Sequence, residues 1–67
     1  MNTDELKKRI RASGLKIRYL AEQLGISHEA MYNKVKGKSE FKASEMAALA
    51  DLLKLSDKDI PLIFFNR

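Results

Sequence analysis

The sequence predicts an all-α fold, a compact bundle of four to five short helices. Three observations lead there. Apolar residues recur at i, i+3, i+4 and i+7 in two separate stretches, Ile17-Leu20-Ala21-Leu24 and Met46-Leu49-Ala50-Leu53, which places each set on one helical face. Gly14, Gly25 and Gly37 cut the chain into segments of helical length, each where a helix C-terminus would favour glycine. No stretch alternates apolar and polar residues for long enough to build a sheet.

Length sets the next bound. Sixty-seven residues suffice for one core, so residues 1–67 read as a single domain. A domain this small buries only about 60% of the surface its unfolded chain exposes. Disulfides and metals often make up the deficit, but the chain has no cysteine, and His28 has no Cys or second His to share a metal with. Well-packed helices, a partner subunit or both must then supply the stability. The lack of cysteine fits a reducing cytoplasm, and the start Met1-Asn2-Thr3-Asp4-Glu5 is unlike a signal peptide. The longest apolar run, residues 60–65, contains Pro61 and is far below the roughly 20 residues that span a bilayer. A soluble cytoplasmic chain without a membrane partner is expected.

The elements follow in order. Asn2 or Thr3 can cap a first helix whose opening turn carries Asp4 and Glu5, the charges its dipole favours. Leu6 and Ile10 form its inner stripe, Lys7, Lys8, Arg9 and Arg11 its wet side, and Gly14 its end. The second helix runs along Ile17, Leu20, Ala21 and Leu24 and stops at Gly25. Ser27 caps a third, which turns Met31 and Val35 inward until Gly37. A polar loop, residues 39–42, holds Phe41 as a core anchor. A fourth helix follows, and Ser56 with Asp59 resembles a capping box for a last short turn, with Asp in place of Glu or Gln. Pro61 should limit that turn, because it removes a backbone donor.

Charge is unevenly spread. The net charge is +4; residues 1–15 sum to +2 and residues 16–38 to +3, while residues 39–67 sum to −1. The positive half suits an anionic partner such as a phosphate backbone; a solvated Lys/Arg surface that keeps the chain dissolved is the competing reading.

The most informative stretch is residues 20–31, Leu-Ala-Glu-Gln-Leu-Gly-Ile-Ser-His-Glu-Ala-Met. One helix ends at Gly25 and another begins at the capped Ser27, so the two must meet at a large angle. Ala21 is small where they approach, Gly25 permits a positive φ, Ile26 fills the notch, and Met31 pins the third helix to the core. Each choice has a steric cause, and together they describe a helix-turn-helix over about residues 16–37.

These residues resemble the Cro/repressor helix-turn-helix regulators, often called the XRE family. The resemblance covers residues 4–60 and rests on Leu20-Ala21, Leu24-Gly25-Ile26-Ser27 and Lys36-Gly37-Lys38, followed by Ala50, Leu52, Leu53, Leu55, Ser56, Asp57 and Asp59. Residues 32–41 and the Ile63-Phe64-Phe65 ending are similar to small Cro-like regulators of phages of Gram-positive bacteria. The resemblance implies a lambda-repressor-like fold and a transcription regulator, a phage or prophage Cro-like repressor, that recognises a double-stranded DNA operator. In such folds the third helix lies in the major groove. Its outer side here offers Ser27, His28, Glu29, Tyr32 and Asn33 as base readers. Asn can pair bidentately with adenine, Glu can accept from cytosine N4, and His can do either. Lys16, Arg18, Lys34, Lys36 and Lys38 are the phosphate contacts it implies.

Two positions depart from the family pattern. Ile17 stands where a phosphate-contacting Gln is common, which shifts that role to Lys16 and Arg18. Lys34 stands where a second buried residue is usual, with Val35 the apolar one, which predicts a rotated or displaced third helix. The bland readings are that the polar face is merely solvated, that His28 is an ordinary surface side chain, and that Tyr32 packs on a neighbouring helix.

No enzyme is expected, since no nucleophile–base pair, phosphate-cradling glycine loop or metal cluster is present; no cofactor or small-molecule ligand is implied. The competing function is a protein-interaction module of the same fold, binding an antitoxin or anti-repressor partner. RNA is disfavoured because no aromatic stacking platform is evident. Leu62, Ile63, Phe64 and Phe65 cannot all enter one core from a helix, since consecutive residues diverge by about 100°. Either two of them cover the base of the core and the others stay partly exposed, or the exposed ones form a homodimer interface.

Overall fold

The computed structural model describes residues 1–65 and contains five helices in the order α1 (Thr3–Ser13), α2 (Ile17–Leu24), α3 (His28–Val35), α4 (Ala43–Leu53) and α5 (Asp59–Phe64), with no strand among the described residues. The all-helical bundle is the expected one. Its centre is built evenly: the largest fully buried side chains are Leu6, Leu20, Met31, Leu49 and Ile63, one from each helix. No helix here is long enough to be stable alone in water, so this shared core, to which every element contributes, holds the elements in place. Phe41 closes one side from the α3–α4 loop, its ring edge-on to Phe64 with centroids 5.8 Å apart.

Local signals explain most boundaries. The Asn2 side chain accepts from the Glu5 N–H at 3.1 Å, and Gly14 ends α1 in the left-handed region. Gly25 has φ of 74°, and a Cβ there would meet nothing within 4 Å, so its backbone angle, not crowding, is what asks for glycine. The Gly25 N–H reaches the Glu22 carbonyl and the Ile26 N–H the Ala21 carbonyl, at 3.2 and 3.0 Å, which makes a Schellman turn. The Ser27 hydroxyl then accepts from the Ala30 N–H at 3.0 Å. Three residues thus terminate one helix, turn the chain and start the next. Ala21 is buried on α2, and α2 makes its most extensive contact with α3.

Three features correct the sequence reading. Pro61 does not limit the last turn. It lies in the first turn of α5, where its missing N–H would have had no intrahelical partner, and the helix runs on to Phe64, with Phe65 N–H on the Pro61 carbonyl. Arg9 is not on the wet side of α1: its Nε donates to Glu5 at 2.8 Å and its guanidinium reaches Asp59 at 2.9 Å. Asp59 also completes the reciprocal capping box with Ser56 (3.0 and 3.2 Å), so one carboxylate starts α5 and fastens it to α1. These contacts hold Asp59 well below the usual carboxylate range, the Arg9 hydrogen bond being the largest influence. The third correction is Lys34, which turns inward. Its ammonium donates to Glu45 of α4 at 2.7 Å and to the Glu40 carbonyl at 3.2 Å, with its side chain 12% exposed.

Glu45 is the one buried charged residue among those described. Besides Lys34 it accepts the Lys42 N–H at 2.8 Å, satisfying a donor at the start of α4 that the Lys42 side chain cannot cap. The Lys34 and then the Lys42 hydrogen bonds lower its pKa against the opposing effect of burial. A carboxylate so depressed stabilises the fold above its unfolded pKa, near 4.5, and loses that contribution as pH falls through the lower folded value. Glu45→Gln should therefore cost about 1–3 kcal/mol at neutral pH. The gap from the parent should narrow as pH drops from about 4.5 toward 3; Asp59, present in both proteins, cancels from the difference. Denaturant melts at pH 7, 4.5 and 3 check this, and a gap that does not change with pH contradicts it. Ala21→Leu should cost about 1–3 kcal/mol by overpacking the α2–α3 contact, measured as a lowered melting temperature; an unchanged melt contradicts the close approach described here.

Candidate nucleic-acid interface

The chemistry of α3 divides cleanly between its two sides. Met31 and Val35 are buried, and Lys34 joins them with its aliphatic stem inside and its charge satisfied by Glu45. The family's usual burial at position 34 is thus met by a lysine, and Val35 packs beside it; the outward residues need no helix rotation to be explained. His28, Tyr32 and Lys36 form one outer row at i, i+4 and i+8, and Glu29 and Asn33 form the adjacent row. All are exposed except Asn33, which is half-buried.

The rows are internally organised. The His28 and Tyr32 rings lie 5.2 Å apart, and Lys36 Nζ sits 5.4 Å from the Tyr32 ring centroid. Tyr32 therefore packs along its own helix, not on a neighbouring one as the bland reading had it, and remains 47% exposed. The Ser27 oxygen is engaged as the cap of α3, which leaves the hydroxyl hydrogen to donate outward.

Beyond the end of α3 the chain turns sharply. Gly37 has φ of 86°; the Lys38 N–H returns to the Asn33 carbonyl at 2.9 Å and the Gly37 N–H to Lys34 at 3.1 Å, a second Schellman turn. A Cβ on Gly37 would lie 3.2 Å from the Thr3 methyl, so a larger residue would be both strained and crowded. The turn leaves Lys36 and Lys38 exposed at the end of the helix.

Lys16 and Arg18 stand exposed at the start of α2. Lys16 occupies the N-cap position without any side-chain cap bond, so the first N–H groups of α2 have no side-chain acceptor. Ile17 is half-buried between these two cations and offers no polar atom. The two side chains line one groove with His28, Tyr32 and Lys36. Lys7 and Arg11 of α1, which lie outside the turn motif, line the same groove. Their i, i+4 spacing on the flank of Ile10 was the available signal.

Of the ten residues expected at the site, Lys16, Arg18, His28, Tyr32 and Lys36 line this one groove; Ser27 caps α3, Glu29 and Asn33 lie on the adjacent row of the helix, and Lys38 is exposed beyond its end. Lys34 is the correction, because an ammonium held 2.7 Å from a buried carboxylate would have to leave that partner to meet a phosphate, at the cost of an unpaired buried charge.

Among the described residues no group of three or more His, Cys, Asp or Glu could hold a metal ion, and no helix is long and apolar enough to cross a membrane. Comparison with curated proteins and with solved structures gave no significant match. Comparison with protein-family models matched residues 5–60 to the Cro/C1-type HTH DNA-binding domain. That span runs from the first turn of α1 into α5 and includes the whole turn between α2 and α3. With five helices, no strand among the described residues and this match over most of its length, the chain belongs to the family of Cro/C1-type helix-turn-helix DNA-binding domains.

Proposed function

We propose that this protein is a sequence-specific transcription regulator, a Cro-like repressor that reads a duplex operator by inserting α3 into the major groove. The observation that carries this reading is the sorting of α3: an inward side fully engaged in packing and one ion pair, and an outward side of His28, Glu29, Tyr32 and Asn33 bordered by cations at both ends. Asn33 is the strongest base reader, suited to adenine, with Glu29 suited to cytosine N4 and the Ser27 hydroxyl and His28 near the helix start. Tyr32 presents a ring face that suits a thymine methyl. Lys16 and Arg18 on one flank and Lys36 and Lys38 on the other neutralise backbone phosphates, which fixes register without reading sequence.

One recognition helix reads few base pairs, and two-fold operators solve this by placing two copies one helical turn apart. We propose such a homodimer, built from the C-terminal segment. Ile63 and Phe64 are buried in the core, but Leu62 is 46% and Phe65 63% exposed, and two large apolar side chains left in water beside each other suit a self-complementary contact.

Two measurements test these proposals. Asn33→Ala should weaken binding to an operator selected from a random duplex pool by about 1–3 kcal/mol and leave random-sequence binding nearly unchanged; equal losses on both duplexes would remove Asn33 as a base reader. Phe65→Ser, which spares the core residue Ile63, should abolish any concentration-dependent dimer in sedimentation and weaken binding to a palindrome more than to a half-site. A parent that stays monomeric at high concentration and binds a half-site as tightly as a palindrome would refute the dimer.

A further inference from the structure

Two groups of cations in the fold have opposite surroundings. Arg9 and Lys34 turn inward and account for all three ion pairs among the described residues. Lys7, Arg11, Lys16, Arg18 and Lys36 instead converge from three helices on one groove of about 770 Å³ that has no carboxylate in its lining. Two of the five, Lys7 and Arg11, come from α1, outside the helix-turn-helix.

The groove is also apolar below its rim. Ile10, Leu15, Ile17 and Val35 lie between the cations. A free phosphate would find charge there but no use for the hydrocarbon floor. A sugar-phosphate strand presents both surfaces at once, phosphates to the rim and deoxyribose carbons to the floor. The groove is continuous with the outer row of α3, because Tyr32 and Lys36 belong to both.

We infer that α1 is part of the DNA-binding surface: one phosphodiester strand bordering the major groove lies in this channel, and Lys7 and Arg11 neutralise phosphates beyond those reached from α2 and α3. The inference rests on the duplex-DNA reading above and assigns a role to residues outside the turn motif. It also gives a physical account of Ile17, which cannot donate to a phosphate but can pack against a deoxyribose while its cationic neighbours hold the charge.

The test is a salt titration of duplex affinity for the parent, for Lys7→Gln/Arg11→Gln, and for Lys54→Gln/Lys58→Gln as a charge-matched control outside the groove. All four positions are exposed, so each variant should fold, which a thermal melt verifies. Removing two phosphate contacts should make the slope of log K against log salt shallower by about 1.8, roughly 0.9 per contact. Operator and random duplex should lose affinity by the same factor, because phosphate contacts carry no sequence information. The control should keep the parent's slope. A groove variant that keeps the parent's slope and affinity overturns the inference and leaves the function standing, whereas a parent with no salt-dependent duplex binding overturns the function itself. A mononucleotide added at matched ionic strength should not displace the duplex. If it does, and the groove variant abolishes the competition, the groove belongs to a small anion and the inference fails.

Discussion

The connection between α2 and α3 spans three residues, and the placement of every outer side chain on α3 follows from it. Gly25 must adopt a positive φ, Ile26 must return its N–H to Ala21 while its side chain packs inward, and Ser27 must cap the next helix. None of these can change alone. A side chain at position 25 would strain the backbone, and losing the Ser27 oxygen would leave a helix donor unmet. A larger residue at position 21 would force the helices apart. Met31 and Leu20, both fully buried, then fix the rotation of α3 about its axis, which decides that positions 28, 29, 32 and 33 face away from the core.

A second constraint acts at the other end of α3. An eight-residue helix with polar or charged residues in six of the nine places from 28 to 36 would be a poor core element without help, and Lys34 supplies it by joining Glu45. The pair ties α3 to α4, its ammonium 6.0 Å from the Phe41 ring centroid, and the same carboxylate starts α4 through the Lys42 N–H. Arg9 and Asp59 do the corresponding work between α1 and α5. Each pair joins two different helices, and each sets a cation against a carboxylate of its own fold. Five of the cations that remain exposed, Lys7, Arg11, Lys16, Arg18 and Lys36, gather in the groove beside α3, whose lining holds no carboxylate, and there they would act on a polyanion.

The sequence was legible wherever the cause of a structure is local. Helix faces followed from spacing, as with Leu20 and Ala21 or Leu49 and Ala50; the α2–α3 turn followed from Gly25 and Ser27; the capping box followed from Ser56 and Asp59. Long-range charge pairing was not legible. Nothing near Lys34 distinguishes it from Lys36, and only the arrival of Glu45 from another helix turns one inward and leaves the other out. Arg9 likewise looked like Lys8 until Asp59 was beside it. Pro61 was misjudged because a proline reads as a stop unless the helix start is known to within a residue. The end of α4 was silent for a different reason. Lys54 takes the left-handed conformation, with φ of 56°, where a glycine would have announced it. Most of the candidate interface was visible in the turn motif, but the share of α1 in it was not, since only packing brings Lys7 and Arg11 beside Arg18.

The central claim is that the outer face of α3, with the cations around it, is where this domain meets duplex DNA. Backbone amide shifts followed during titration with an operator duplex test it most directly, since they report on every residue without altering any. The account predicts that the largest changes fall on residues 16–18, 27–33 and 36–38, while amides in the middle of α4 move little. Changes concentrated on α4 and α5, with residues 27–33 undisturbed at saturation, would contradict it.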